Sequence, residues 1–228
     1  MTIMIPVYGN DKVKIDLATN TSFTLSINPT AGGNRKCYIA VGWYNTPGAI
    51  TYCRYNGIDA TLVDAPNAYF MYMALYECNI PNSDSGAVNI TMAWTTSRPY
   101  CVQAFTFANA SMHSSHSSGS GLGGSPISMT LTSNDIDTMI LCTIGGDQTG
   151  ATVYATPSDT LIQMTTPAAY GPNGGAGYRD ADPTNTTMTA TRSSTDNSNT
   201  VYVYCGLIIP ANSYVFGTPV ATAPFFMI

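Results

Sequence analysis

Few residues of this 228-residue chain have the types and spacing that chemistry needs. The two histidines, His113 and His116, stand three apart inside the serine- and glycine-rich run ASMHSSHSSGSGLGGS, residues 110–125. A metal site there would need further ligands, and a flexible loop would lose much entropy in forming one. The acidic pairs Asp135-Ile136-Asp137 and Asp180-Ala181-Asp182 could hold calcium or work on a glycosidic bond. Without an EF-hand pattern they read as turn caps and solvated surface. Serines are plentiful, yet no G-x-S-x-G elbow accompanies them, so a Ser-His-Asp triad has no support. The sequence therefore predicts no catalytic, cofactor or metal residues and a non-enzymatic protein.

Six cysteines, Cys37, Cys53, Cys78, Cys101, Cys142 and Cys205, are widely spread with no C-x-x-C pair. Cys37, Cys101 and Cys205 fall in phase with apolar neighbours, which predicts reduced thiols used as small buried apolar groups. Trp43 and Trp94, either of which could stack on a sugar, are likewise in phase with core positions and are expected to be buried. The Asn-x-Ser/Thr sequons at Asn20, Asn89, Asn109 and Asn185 are expected by chance in a chain so rich in Asn and Thr.

The elements that must position these residues are strands. From Asn34 to Val63, NRKCYIAVGWYNTPGAITYCRYNGIDATLV, Cys37, Ile39, Val41 and Trp43 alternate on one face. A Pro47-Gly48 break, a β-rich run over 50–55 and an Asn56-Gly57 tight turn follow. Further strands are predicted over 13–17, 22–27, 69–78, 87–95, 101–107, 127–132, 138–144, 151–155, 161–164, 186–190 and 201–209. The 69–78 run, apolar on both faces, is expected to be covered on both sides. Residues 110–125 and the Gly- and Pro-rich stretch 168–185 are predicted as loops. No window shows sustained helical periodicity. Two packed sheets drawing on both halves of the chain predict a single all-β domain, with a core at about 13–210 and terminal arms at 1–12 and 211–228.

Only 9% of residues are charged, against about a quarter in an average domain, and net charge is −5 with eight Lys plus Arg. No basic footprint for nucleic acid exists. The N-terminus lacks the layout of a signal peptide, and no run is long and apolar enough to predict a membrane span.

Several segments together carry a likeness. They are Asn34-Arg35 before an apolar strand ending at Gly42; Ile50-Thr51-Tyr52, Tyr55-Asn56-Gly57-Ile58 and Ala60-Thr61-Leu62-Val63; a Tyr-rich strand closing at Pro81; Gly86-Ala87-Val88; and Phe105-Thr106-Phe107-Ala108. With Gly175 to Tyr178, Thr186 to Thr191 and Tyr202 to Ile209, the chain resembles, over about residues 20–210, a recurrent jelly-roll-like β-sandwich domain of phage virion proteins and bacterial surface proteins. It differs in carrying cysteine and methionine where relatives often have valine or leucine.

The resemblance implies an antiparallel two-sheet sandwich and a structural protein of a virus particle, a bacteriophage capsid decoration (cement) protein or related head or tail component. Such a protein assembles in the host cytoplasm and acts as a homo-oligomer or against shell proteins. The alternative is a carbohydrate-binding or adhesin module with a glycan partner. Contacts are expected from apolar residues of the arms, Ile3, Ile5, Val7, Val215, Phe216, Phe225, Phe226, Met227 and Ile228, and from Tyr170 and Tyr178 in the long loop.

Overall fold

A computed structural model of the chain describes residues 2–4, 6–44, 49–122, 127–131, 137–147, 155–157, 160–164, 172–180, 187–192 and 200–214. Every regular element among them is a strand. The first half contributes β1 (Thr2–Met4), β2 (Val7–Ile27), β3 (Arg35–Tyr44), β4 (Ile50–Tyr55), β5 (Ile58–Asp59), β6 (Thr61–Asp64), β7 (Asn67–Ala68), β8 (Met71–Ile80) and β9 (Val88–Ala108). The second contributes β10 (Ser115–Leu122), β11 (Ile127–Thr130), β12 (Thr138–Asp147), β13 (Ala155–Pro157), β14 (Thr160–Met164), β15 (Asn173–Asp180), β16 (Thr187–Arg192), β17 (Thr200–Ile209) and β18 (Asn212–Tyr214). All pairings are antiparallel, and they form four sheets of eight, five, three and two strands. The all-β expectation holds, with several sheets rather than two.

The long strands β2 and β9, 21 residues each, explain the first half. One edge of β9 pairs with β4 through Ile90–Trp94 and then with β3 through Tyr100–Phe107, while β2 runs along its other edge throughout. Trp94 and Tyr100 would lie about 20 Å apart on a straight strand, yet their ring centroids are 5.1 Å apart. The ribbon therefore folds back on itself at residues 95–99, where proline removes a ladder donor and the β2 register slips near Asn20 and Arg98. The gap between the predicted strands 87–95 and 101–107 is a bend inside one strand. Between its two arms lies a core of Phe23, Ile39, Trp43, Tyr55, Met92 and Val102, among others.

The opposite face of the β3–β8–β9 layer carries Tyr38, Met73, Leu75 and Phe105, which pack against Ile140, Cys142, Val203 and Leu207 of the five-stranded sheet β10-β17-β12-β15-β14. The far side of that sheet presents Met139, Leu141 and Tyr202 to Met129 and Met188 of the three-stranded sheet β11-β16-β13. Three cores thus separate successive β layers, and strands such as β8 are covered on both faces, as its two-sided apolar pattern predicts. Each fully buried large side chain contributes about 1.5–3 kcal/mol. Gly42 belongs to this contact: a Cβ there would overlap the Ile144 side chain, so glycine lets β3 and β12 approach. The Asn56-Gly57 turn, with φ of 49° and 81°, joins paired Tyr55 and Ile58, the two-residue hairpin its sequence predicts.

Strands run within both predicted loops, 110–125 and 168–185. Ser115–Leu122 pairs along its whole length with β17. Its small side chains suit this edge, since a Cβ at Gly119 would strike the Tyr204 ring. Asn173–Asp180 pairs with both β12 and β14, its small residues buried against the β9 layer. Polar, low-complexity sequence concealed both, because backbone pairing and tight approach supply the stability that side-chain burial would otherwise provide. Within the segment expected as an arm, Val7, Tyr8, Asp11 and Lys12 pair with β9, and β1 pairs with β18.

Candidate interaction surface

The start of β2 and the end of β15 build one surface site. Pro6 lacks an N–H, so ladder pairing begins at Val7, opposite Ala108. In a regular strand Tyr8 and Asp11 would point to opposite faces. The register shifts between them, and the Tyr8 hydroxyl donates to the Asp11 carboxylate. Thr106 holds this irregular turn: its Oγ1 accepts from the N–H of Asn10 at 3.1 Å and of Thr30 at 3.3 Å, and donates to the Asn10 carbonyl at 3.2 Å.

Tyr8 then stacks on Tyr178, ring centroids 5.2 Å apart and planes 22° apart, while Phe107 meets both rings edge-on. Burial, reinforced by the Asp11 hydrogen bond and charge, pushes the Tyr8 phenol up, so it stays a neutral donor. Pro6, Val7, Tyr8, Tyr178 and Asp180 line an open groove of about 270 Å³, and Val7 is 53% exposed at its rim. Aromatic faces with a nearby carboxylate acceptor suit contact with a partly apolar, hydroxyl- or amide-bearing partner.

Residues 2–4 and 212–214 pair with one another. Ile3 faces Ser213 and Met4 faces Asn212 across the β1–β18 ladder. Ala211 forms a bridge with Ala110 and donates its N–H to the Asp137 carboxylate at 3.3 Å. The Ser111 N–H donates to the Pro210 carbonyl at 3.2 Å. Of the sequence-predicted contact residues, Val7 and Tyr178 meet in the groove, and Ile3 is placed by its backbone pairing. Ile5, Tyr170, Val215, Phe216, Phe225, Phe226, Met227 and Ile228 lie outside the described residues. The sequence reading did not single out Tyr8, which lines the groove; its signal was an aromatic ring ending an apolar run beside a proline.

Among the described residues the other candidates take structural roles, while Asp135, Ile136, Ala181, Asp182 and Asn185 lie outside the described residues. His113 Nδ1 lies 2.5 Å from the buried Glu77 carboxylate, and its backbone N–H donates to the same group at 3.1 Å. His116 Nε2 is 3.8 Å from Asp64. Among the described residues no group of three or more His, Cys, Asp or Glu could hold a metal. Asp137 is buried on the Ala211 N–H rather than displayed on the surface. All six cysteines are buried thiols, and desolvation raises Cys101 and Cys205 to about 12, far from nucleophilic at neutral pH. Trp43 and Trp94 are buried at 6% and 4% exposure, as their phase predicts. Trp43 stacks on Tyr72 beneath a second groove of about 330 Å³, where Ile50 of β4 faces Leu62 of β6. No helix among the described residues is long and apolar enough to cross a membrane, which leaves strands unaddressed. Comparison with protein-family models and with curated proteins finds no match to the chain.

Proposed function

We propose that the chain is a non-enzymatic structural protein of a virus particle, a bacteriophage capsid decoration (cement) protein or a related head or tail component. In this reading its antiparallel layers form a jelly-roll-like sandwich, and its terminal segments are the arms that engage a second copy or a shell protein. The observation that carries it is the β1–β18 pair, which brings residues 2–4 and 212–214 side by side. Tyr214, the residue that precedes the apolar sequence 215–228, is thus held beside the N-terminal strand. Edge pairing and apolar burial supply the adhesion, and the scarcity of Lys and Arg makes it insensitive to salt.

Sedimentation velocity on the full chain and on a chain ending at Tyr214 tests this. The full chain is expected to sediment as an oligomer or to bind capsid shells, and the shortened one as a folded monomer that binds neither. A full chain that is monomeric and binds no shell overturns the proposal. A second reading, a glycan-binding module, draws on the Tyr8–Tyr178 stack beside Asp180. It predicts binding on an oligosaccharide array that Tyr178→Ala abolishes.

A further inference from the structure

Four of the six thiols face one another across paired strands. Cys37 of β3 lies directly opposite Cys78 of β8, and Cys142 of β12 directly opposite Cys205 of β17. In each pair both side chains share one face: Cys37 and Cys78 belong to the core within the folded ribbon, Cys142 and Cys205 to the core between the two large sheets. Directly opposed residues of an antiparallel ladder have Cα atoms about 4.5 or 5.5 Å apart. Both spacings fall inside the roughly 4.4–6.8 Å range of disulfides, and opposed Cβ atoms, about 4.5–5.5 Å apart, need to close by at most about 1 Å. The remaining thiols lack such a partner. Cys53 is opposite Met92, and Cys101 lies between Gly42 and Ile15.

We propose that Cys37–Cys78 and Cys142–Cys205 are two paired-thiol sites that close into cross-strand disulfides when the chain meets a low-molecular-weight disulfide oxidant such as oxidised glutathione, while Cys53 and Cys101 remain thiols. At each site one thiolate attacks the oxidant, releasing one glutathione thiol, and the second thiolate attacks the mixed disulfide, releasing another. Two S–H bonds are lost, one protein S–S bond forms, and the two electrons and two protons end on the two glutathiones. Burial keeps the thiols protonated and shielded in the closed fold, so reaction belongs to folding or to transient opening. Closure ties β3 to β8 and β12 to β17, one staple in each large sheet, with the opposed Cβ atoms drawing together by at most about 1 Å.

The test is refolding of the full reduced chain from urea in a mixture of reduced and oxidised glutathione, followed by acid quench, alkylation, intact mass and peptide mapping. The expected product is four hydrogens lighter than the reduced chain, contains the peptides Cys37–Cys78 and Cys142–Cys205, and unfolds at higher urea than the reduced protein. Cys37→Ser and Cys142→Ser each remove one bridge and leave the other. A product with all six thiols free, or one joined through Cys53 or Cys101, overturns the proposal. If the reduced chain does not refold, native protein held in urea just below its transition with oxidised glutathione gives the same readout, and the same products support or overturn the proposal.

Discussion

Removing the His113 ring tests whether the serine-rich segment is docked on the fold. The Glu77 side chain is 2% exposed and meets His113 twice, through Nδ1 at 2.5 Å and the backbone N–H at 3.1 Å. Loss of one partner of a fully buried ion pair costs about 3–5 kcal/mol. Here the histidine side chain is 20% exposed, so water follows into the space the ring vacates, and the backbone donor remains. His113→Ala is therefore expected to cost about 1–3 kcal/mol, read as a lower urea midpoint at unchanged m-value. Glu77→Gln, which keeps an acceptor for one of the two donors, should cost less. The double variant should show a coupling of about 0.5–3 kcal/mol. Limited proteolysis of His113→Ala should cut within residues 109–122 sooner than in the parent. If His113→Ala unfolds within about 0.5 kcal/mol of the parent, the surface-substitution range, and its cleavage is unchanged, the docking argument fails.

Gly42→Val inserts a side chain where Ile144 already packs, and should cost about 1–3 kcal/mol by thermal denaturation; a neutral result would mean that β3 and β12 are not pressed together. Arg35 donates to the carbonyls of Thr30 and Asp84 at 3.0 and 2.9 Å and to that of Pro81, so Arg35→Met should cost about 1.5–3 kcal/mol and loosen residues 28–34 and 81–86 in hydrogen exchange. The raised thiols also give a pH dependence. Because Cys101 and Cys205 bind their protons more tightly folded than unfolded, their contribution is complete below the ordinary thiol value near 9.0. It is lost as pH rises from there toward about 12, so stability should fall over that alkaline window and a Cys101→Ala, Cys205→Ala chain should fall less steeply.

What the sequence disclosed follows from which signals are local. Alternation placed Cys37, Ile39, Val41 and Trp43 on one buried face, and Asn56-Gly57 announced its hairpin, because pleat and turn are set within a few residues. The two-faced apolarity of β8 correctly indicated cover on both sides. Layer number was not legible, since it depends on which distant strands share a sheet. Ser115–Leu122 and Asn173–Asp180 were hidden for a related reason: glycine and serine have low strand preference, and only their partners' geometry makes small residues the better choice. For the site, Val7 and Tyr178 were visible as apolar and aromatic residues in irregular stretches, but their meeting depends on a register slip near Gly9 that no pattern signals.

The pairing of residues 2–4 with 212–214 has a mechanical meaning. Thr2 is matched with Tyr214, and Met4 with Asn212, so a pull on residues 2 and 214 enters the ladder from one end and breaks its hydrogen bonds one after another. The β2–β9 ribbon, by contrast, is long and bent across two layers, and traction along it must shear many bonds together. Under load the β1–β18 pair would peel first at low force, freeing residues 2–4 and 212–214 while the three cores stay intact.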